Sequence, residues 1–263
     1  MSSRAGSLRA HEADVLRREW LSPHLLRLVL GGDRLRRFAG TGVPDEWVAL
    51  TVPGQYQNRY YTVRSWDGAE LVLDVVVHQH GLVTEWAQTD CVGQRVTVSA
   101  PKGSFAMPGD AGWLELVGDL TALPAIARIA ESVDATGLPL RAWVESPDGE
   151  LPSYVAGRAE VTWLPSPADG ESRLAELVEQ LDWPGGPGYF WMAGESAQMR
   201  SIRRFVRRDL GWDTRHHDLM GYWSNARGRR ARVVDPGPIY ERGRAEGKTD
   251  EEIWAEYDEA RRG

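Results

Sequence analysis

A single cysteine, Cys91, in a chain of 263 residues excludes an internal disulfide and any cysteine zinc cluster, and it suits a reducing compartment. A lone thiol of this kind reads as a small buried residue. No apolar run approaches the roughly 20 residues needed to span a bilayer, and the opening MSSRAGSLRAHEAD lacks the apolar core of a secretion signal. A cytoplasmic protein without membrane insertion is therefore expected. Positive charge is in deficit: a formal net charge of −7 argues against general nucleic-acid binding. The locally basic set Arg9, Arg17, Arg18, Arg34, Arg36 and Arg37 reads as a solvated face. Familiar catalytic signatures are missing as well. There is no GxxxxGK[ST], no GxSxG and no HExxH, and GGPGYFWMAG fails the spacing of GxGxxG, so kinase, serine-hydrolase and zinc-protease readings drop away.

What is present is ordinary globular composition, 42% apolar and 26% charged, with the unusual count of twelve tryptophans, which suggests large flat surfaces packed in cores or against rings. Residues 8–109 read as strand after strand. WVALTV, YYTVR, LVLDVVV and RVTVS are β-branched or aromatic runs punctuated by PG, DG and VG, and a small antiparallel barrel is their natural closure. After Pro108-Gly109 the period changes. The strands WLELV, LRAWV, AEVTWL, YFWMA and HDLMGYW alternate with helical stretches, which implies an open, mainly parallel α/β sheet. Thr121 is placed to cap the first of these helices. Expected divisions are a barrel domain over 1–109, an α/β domain over 110–225 and an extension over 226–263 that ends in a short helix, TDEEIWAEYDEARR.

Within this frame RYYTVR, Arg59 to Arg64, holds two aromatics and a threonine between guanidinium groups. Such a set suits one extended ligand with a planar ring and a pyrophosphate, as in a flavin dinucleotide. It is also what a strand edge with solvated arginines looks like. In HQHGLVTEWA, His78 to Ala87, a glycine ends a strand and a short helical turn follows, forming either an anion-binding corner or a plain connection. GDLTA, Gly118 to Ala122, and MAGE, Met192 to Glu195, both fall where a parallel sheet's strands end, the place where open α/β sheets bind ligands. His78, His80, His216 and His217 are candidate metal ligands, but no nearby carboxylate cluster completes a site, and none is expected. The helix from Ser196 to Leu210 carries a core stripe of Met199, Ile202, Phe205, Val206 and Leu210, with Arg200, Arg203, Arg204, Arg207 and Arg208 on its other faces.

The ordered set RYYTVR, HQHGLVTEWA, GDLTALPAI, WMAGE and GYW, spanning residues 15–225, resembles the siderophore-interacting proteins, ferric-siderophore reductases of the ferredoxin-reductase-like flavoproteins. The resemblance implies FAD in the barrel domain. Tyr60 and Tyr61 would lie in its site, Tyr61 against the isoalloxazine ring; Thr62 would approach the N5 side; Arg59 would hold the pyrophosphate, helped by Arg64. Gly81, Val83 and Thr84 match a second FAD segment, with His78 before it and Trp86 after it. Gly118, Asp119, Thr121 and Ala122 would face NADPH or NADH, together with Glu145, Ala193, Gly194, Glu195 and Arg200. Arg203, Trp223 and Arg227 would meet an anionic ferric siderophore. A monomer or weak oligomer is expected. The chain departs from the family pattern at Leu82, Ala100, Leu120 and Ser224. Leu120 stands where the family has an acidic residue, and Ser224 stands where arginine is usual.

Overall fold

The computed structural model describes residues 10–55, 58–78, 81–167, 170–224, 242–243 and 245–248. The chain forms two compact units, Met1–Trp223 and Ser224–Gly263. In the second, the Glu246 amide donates to the Arg242 carbonyl (3.0 Å), and Gly247 leaves the helical turn at φ +73°. The helix expected over TDEEIWAEYDEARR lies outside the described residues.

The first unit opens with six strands: β1 (His11–Ser22), β2 (Leu25–Gly31), β3 (Trp47–Thr51), β4 (Arg59–Trp66), β5 (Leu71–Val76) and β6 (Arg95–Val98). They close into an antiparallel barrel in the order β1-β2-β5-β4-β3-β6, β6 pairing back onto β1. Alternation drives the closure: Leu26, Leu28 and Leu30 on β2, Leu71, Leu73 and Val75 on β5, and Val96 and Val98 on β6 point inward and are buried. Strand β1 spans both seams because its pairing with β2 shifts at Val15/Arg17 and again at Trp20/Ser22, which bends it. These shifts break the period of two along HEADVLRREWLS. The arginines at this end are engaged: Arg17 pairs with Glu70 at 2.6 Å, and Arg18 donates to the carbonyls of Gln88 (2.8 Å) and Thr89 (2.6 Å).

The rest of the unit is a parallel sheet of β7 (Leu114–Asp119), β8 (Leu140–Ser146), β9 (Glu160–Pro165), β10 (Tyr189–Glu195) and β11 (His217–Trp223), ordered β11-β10-β7-β8-β9. The antiparallel barrel followed by this α/β sheet is the architecture expected from the change in period. Helix α1 (Leu82–Gln88) belongs to the barrel; α2 (Leu123–Val133), α3 (Leu174–Gln180) and α4 (Ser196–Arg208) pack on the sheet. The strand order reverses between β7 and β10, so a crevice opens at their carboxyl ends.

Helix α2 lies between the sheet and β4 of the barrel. Its Arg128 donates to the Val63 carbonyl (2.7 Å) and pairs with buried Glu46 (3.2 Å). Arg64 pairs with Glu131 of the same helix (2.6 Å), and Tyr154 bonds Asp74 of β5. Through these contacts the RYYTVR strand is held against the helix that follows GDLTA.

Candidate functional site

Strand β4 presents the first group of residues. Its register pairs Arg59 with Leu50, Tyr60 with Ala49, Tyr61 with Val48 and Thr62 with Trp47. Arg59 is exposed at the start of the strand, and Tyr60 beside it is 68% exposed. Tyr61 rests on the barrel core, and burial pushes its phenol far above the usual range, with Arg59 pulling the other way. Thr62 is buried, and its hydroxyl has no hydrogen-bond partner among the described residues. Arg64 is taken up by the ion pair with Glu131 and lies 5.4 Å from the centre of the Tyr154 ring, although its Nε is left without a partner.

The second segment begins at Gly81, one residue before α1. A Cβ here would strike the His78 ring at 2.8 Å, so glycine keeps this corner open beside an exposed histidine. Val83 and Thr84 turn inward, the Thr84 hydroxyl donates to the Val76 carbonyl (3.4 Å), and the helical turn begins at Leu82. The Trp86 indole packs on the barrel and donates to Gln94 Oε1 (2.8 Å).

The third group gathers at the β7/β10 crevice. Gly118 has no room for a side chain: a Cβ would lie 3.0 Å from the Ala193 carbonyl and would clash with Ala122. Asp119 is buried. Its Oδ1 accepts from the Thr121 amide (2.8 Å) and hydroxyl (2.5 Å), and its Oδ2 accepts from the Trp223 indole (2.6 Å). Burial nevertheless raises the Asp119 pKa. The capping role expected of Thr121 is not taken. The helix starts at Leu123 with Ala122 as its cap residue, so Thr121 stands one residue too early, and its hydroxyl donates to Asp119. Gly194 lets the second turn come up to the first, since a Cβ there would sit 2.8 Å from Asp119 Oδ2. Ala193 is buried and Glu195 leads into α4.

At the carboxyl ends of β8 and β9, Glu145 lines a groove of about 530 Å³ with Leu164, Ser166, Arg173, Glu176 and Gln180. Its Oε2 accepts from the Arg173 amide (3.2 Å) and Ser172 hydroxyl (3.3 Å), and burial raises its pKa. Arg200 is exposed on α4, whereas Arg203 donates to the Leu219 carbonyl and is tied to β11. Arg227 lies outside the described residues.

Residues 111–226 match the profile described as Siderophore-interacting protein, and residues 54–105 match the one described as Siderophore-interacting FAD-binding domain. The chain belongs to the siderophore-interacting protein family. Among its relatives is an uncharacterised protein of Mycobacterium tuberculosis, 29% identical over 82% of this chain and 91% of that one. The NADPH-dependent ferric-chelate reductase of Escherichia coli is 26% identical, with 82% and 93% covered. The crystal structure of the siderophore-interacting protein SipS from Aeromonas hydrophila superposes with a TM-score of 0.68 at 26% identity, over 82% of this chain and 99% of that one.

Within this family pattern, Leu120 is not a bare loss of charge. It is 3% exposed and packs in the sheet core with Ala122 and Leu123, a place where a carboxylate would be stranded. Leu82, by contrast, is 56% exposed. A siderophore-interacting protein is expected to take FAD, and the residues present fit it. Thr62 brings an orphaned hydroxyl, Arg59 an exposed guanidinium and Gly81 a corner that a side chain would fill.

Three further polar residues come near the crevice, one of them fully buried. Asp45, fully buried, accepts from the amides of Ser104 (2.9 Å) and Phe105 (3.0 Å). The Ser104 hydroxyl also lies 2.9 Å from Asp45 Oδ2 and 2.6 Å from Asp218 Oδ2, and it has a single proton to give. Burial, with the Asp45 charge adding to it, raises the Asp218 pKa. The third is Tyr222, whose hydroxyl is buried without a partner among the described residues. Each sits in a stretch whose local pattern reads as loop or strand. No motif marks Asp45 or Asp218, whereas Tyr222 belongs to GYW.

Proposed function

We propose that the chain is a FAD-dependent ferric-siderophore reductase that draws electrons from NADPH or NADH. The single observation that carries this reading is the meeting of RYYTVR on the barrel with the GDLTA and MAGE turns of the sheet, across α2. Bound FAD would supply the redox chemistry, taking a hydride and returning electrons one at a time. The chain's residues bind and orient. Arg59 holds the pyrophosphate as an exposed cation, Tyr60 and Tyr61 flank the cofactor, and Thr62 offers its hydroxyl at the ring edge. The main chain at Gly81, Val83 and Thr84 supplies the second contact, while the side chains of Val83, Thr84 and Trp86 hold that segment on the barrel. Because Arg64 is committed to Glu131, it steadies β4 and leaves the pyrophosphate to Arg59.

Asp119 fixes the floor of the nicotinamide crevice by holding Thr121 and Trp223, and Gly118, Ala122, Ala193 and Gly194 keep it open. Glu145 offers a carboxylate to the ribose hydroxyls of the nucleotide, and Arg200 a cation to its phosphates. Trp223, pinned by Asp119, and Arg203, pinned by Leu219, present a flat ring and positive charge to an anionic ferric chelate. Reduction to Fe(II) weakens its hold on hard oxygen donors and releases the metal. The division of labour we propose runs at residues 109/110. The E. coli ferric-chelate reductase supports the substrate class.

An anaerobic absorbance titration of the purified protein tests the reading. FAD bands that bleach with NADPH or NADH and return on adding a ferric siderophore are expected. Protein that refuses FAD overturns the proposal. FAD that stays oxidised while the chelate still binds makes the chain a binding protein.

A further inference from the structure

The carboxyl edge of the parallel sheet runs on past the crevice at β7 and β10. Its register aligns Asp119 at the end of β7 with Glu145 of β8, and Glu145 with Leu164 of β9. At a strand spacing of about 4.8 Å, Leu164 stands roughly 10 Å across the sheet from Asp119. A molecule anchored at the crevice and laid along this edge therefore reaches the groove that Glu145 and Leu164 line. Glu145 is 7% exposed, and its two oxygens are used differently. Oε2 accepts from the Arg173 amide and the Ser172 hydroxyl, whereas Oε1 has no hydrogen-bond partner among the described residues. An oxygen of this kind, on a carboxylate drawn out of solvent, calls for a donor from a ligand. We propose that the groove at Glu145 holds the adenosine end of the nicotinamide nucleotide and selects NADH over NADPH.

The direction of the preference follows from the chemistry of the lining. A ribose bearing a free 2′-hydroxyl gives a hydrogen bond to a carboxylate, the use to which dinucleotide-binding α/β folds put an acidic residue. A 2′-phosphate brings negative charge to the same oxygen and has no hydrogen to give when ionised. The rest of the lining points the same way. Glu176 adds a second carboxylate, exposed, against the one guanidinium of Arg173 among the described lining residues. Leu164, Pro165 and Leu177 supply apolar surface for the purine. The inference rests on the reductase reading above and names its electron donor.

Isothermal titration calorimetry of the purified full chain with 5′-AMP and with 2′,5′-ADP reads the groove apart from turnover. The titrations are run at pH 8, because burial favours the neutral acid of Glu145 while the donors on Oε2 favour the carboxylate. The probe without the 2′-phosphate is expected to bind about ten- to hundredfold more tightly, the worth of a charged hydrogen bond. Glu145→Gln keeps the shape and removes the charge, so the ratio of the two affinities should fall about tenfold, with 2′,5′-ADP gaining and 5′-AMP losing. Glu176→Lys reverses an exposed charge and should tighten 2′,5′-ADP about two- to fivefold more than 5′-AMP. Equal affinities in the wild type, a preference for 2′,5′-ADP, or a ratio unmoved by Glu145→Gln overturns the inference, and so does failure of both probes to bind. Should Glu145→Gln not fold, the ratio in Glu176→Lys decides in its place. Bound FAD that neither NADH nor NADPH reduces defeats the reductase reading, an outcome distinct from the ratio of the two probes, which still decides the groove.

Discussion

The indole N–H of Trp223 donates to Oδ2 of Asp119 across 2.6 Å, tying the end of the last strand of the sheet to the end of the first. The strand β10 lies between them. The bond turns three neighbouring strand ends into one rigid floor for the crevice.

Replacing Trp223 with phenylalanine keeps a ring and deletes the donor. A buried carboxylate loses one of its partners, and a loss of about 1–3 kcal/mol is expected from urea unfolding at neutral pH. Burial already lifts Asp119 above its unfolded value, and the variant lifts it further. A raised carboxyl contributes stability that is present at low pH and lost as pH rises. The deficit should therefore be smaller at pH 5 than at pH 8.

Glu115 makes a second pH-dependent contribution. Burial raises its pKa from an ordinary 4.5 to about 7, even with Arg141 bonded to it at 2.6 Å. Its stabilising contribution is full below pH 4.5 and is lost as pH climbs through about 7. The shift corresponds to at most about 3 kcal/mol. Glu115→Gln cannot ionise, so its unfolding free energy should fall less between pH 5 and pH 8 than that of the wild type.

Arg128 joins the barrel to the sheet through Glu46 and the Val63 carbonyl. Arg128→Leu leaves a buried carboxylate and a main-chain acceptor unpaired. A cost of about 3–5 kcal/mol is expected, because breaking one side of a buried pair strands the other charge. Thermal melts followed by circular dichroism would show it as a large fall in Tm.

Arg59 is exposed, so Arg59→Ala should leave the melting temperature close to that of the wild type. FAD affinity should nevertheless weaken about ten- to hundredfold, the worth of a charged hydrogen bond to phosphate. Fluorescence titration of the apoprotein measures it. Unchanged affinity would take Arg59 out of the cofactor site.

Much of the fold was legible in residue order because its periods are local. Alternation of two over β3 to β6 announces a barrel, and the switch to strand-then-helix after Gly109 announces the sheet. The stripe of Met199, Ile202 and Val206 on α4 is buried as its spacing implies. One reading failed for a physical reason. Thr121 is a good cap by type, but the helix begins only at Leu123, which puts Ala122 in the cap position. The strand β1 bends through two register shifts, each of which inverts the inward and outward positions.

The sequence by itself determined which short stretches can meet a dinucleotide, since RYYTVR, GDLTA and MAGE carry their chemistry within a few neighbouring residues. Only the tertiary structure decided which side chains remain free to use it. Arg64 is drawn to Glu131, 67 residues away, Trp223 to Asp119, 104 residues away, and the Thr62 hydroxyl is left without a partner among the described residues. Hydrogen bonds and ion pairs in a buried interface depend on distance in space, and no period along the chain encodes that distance.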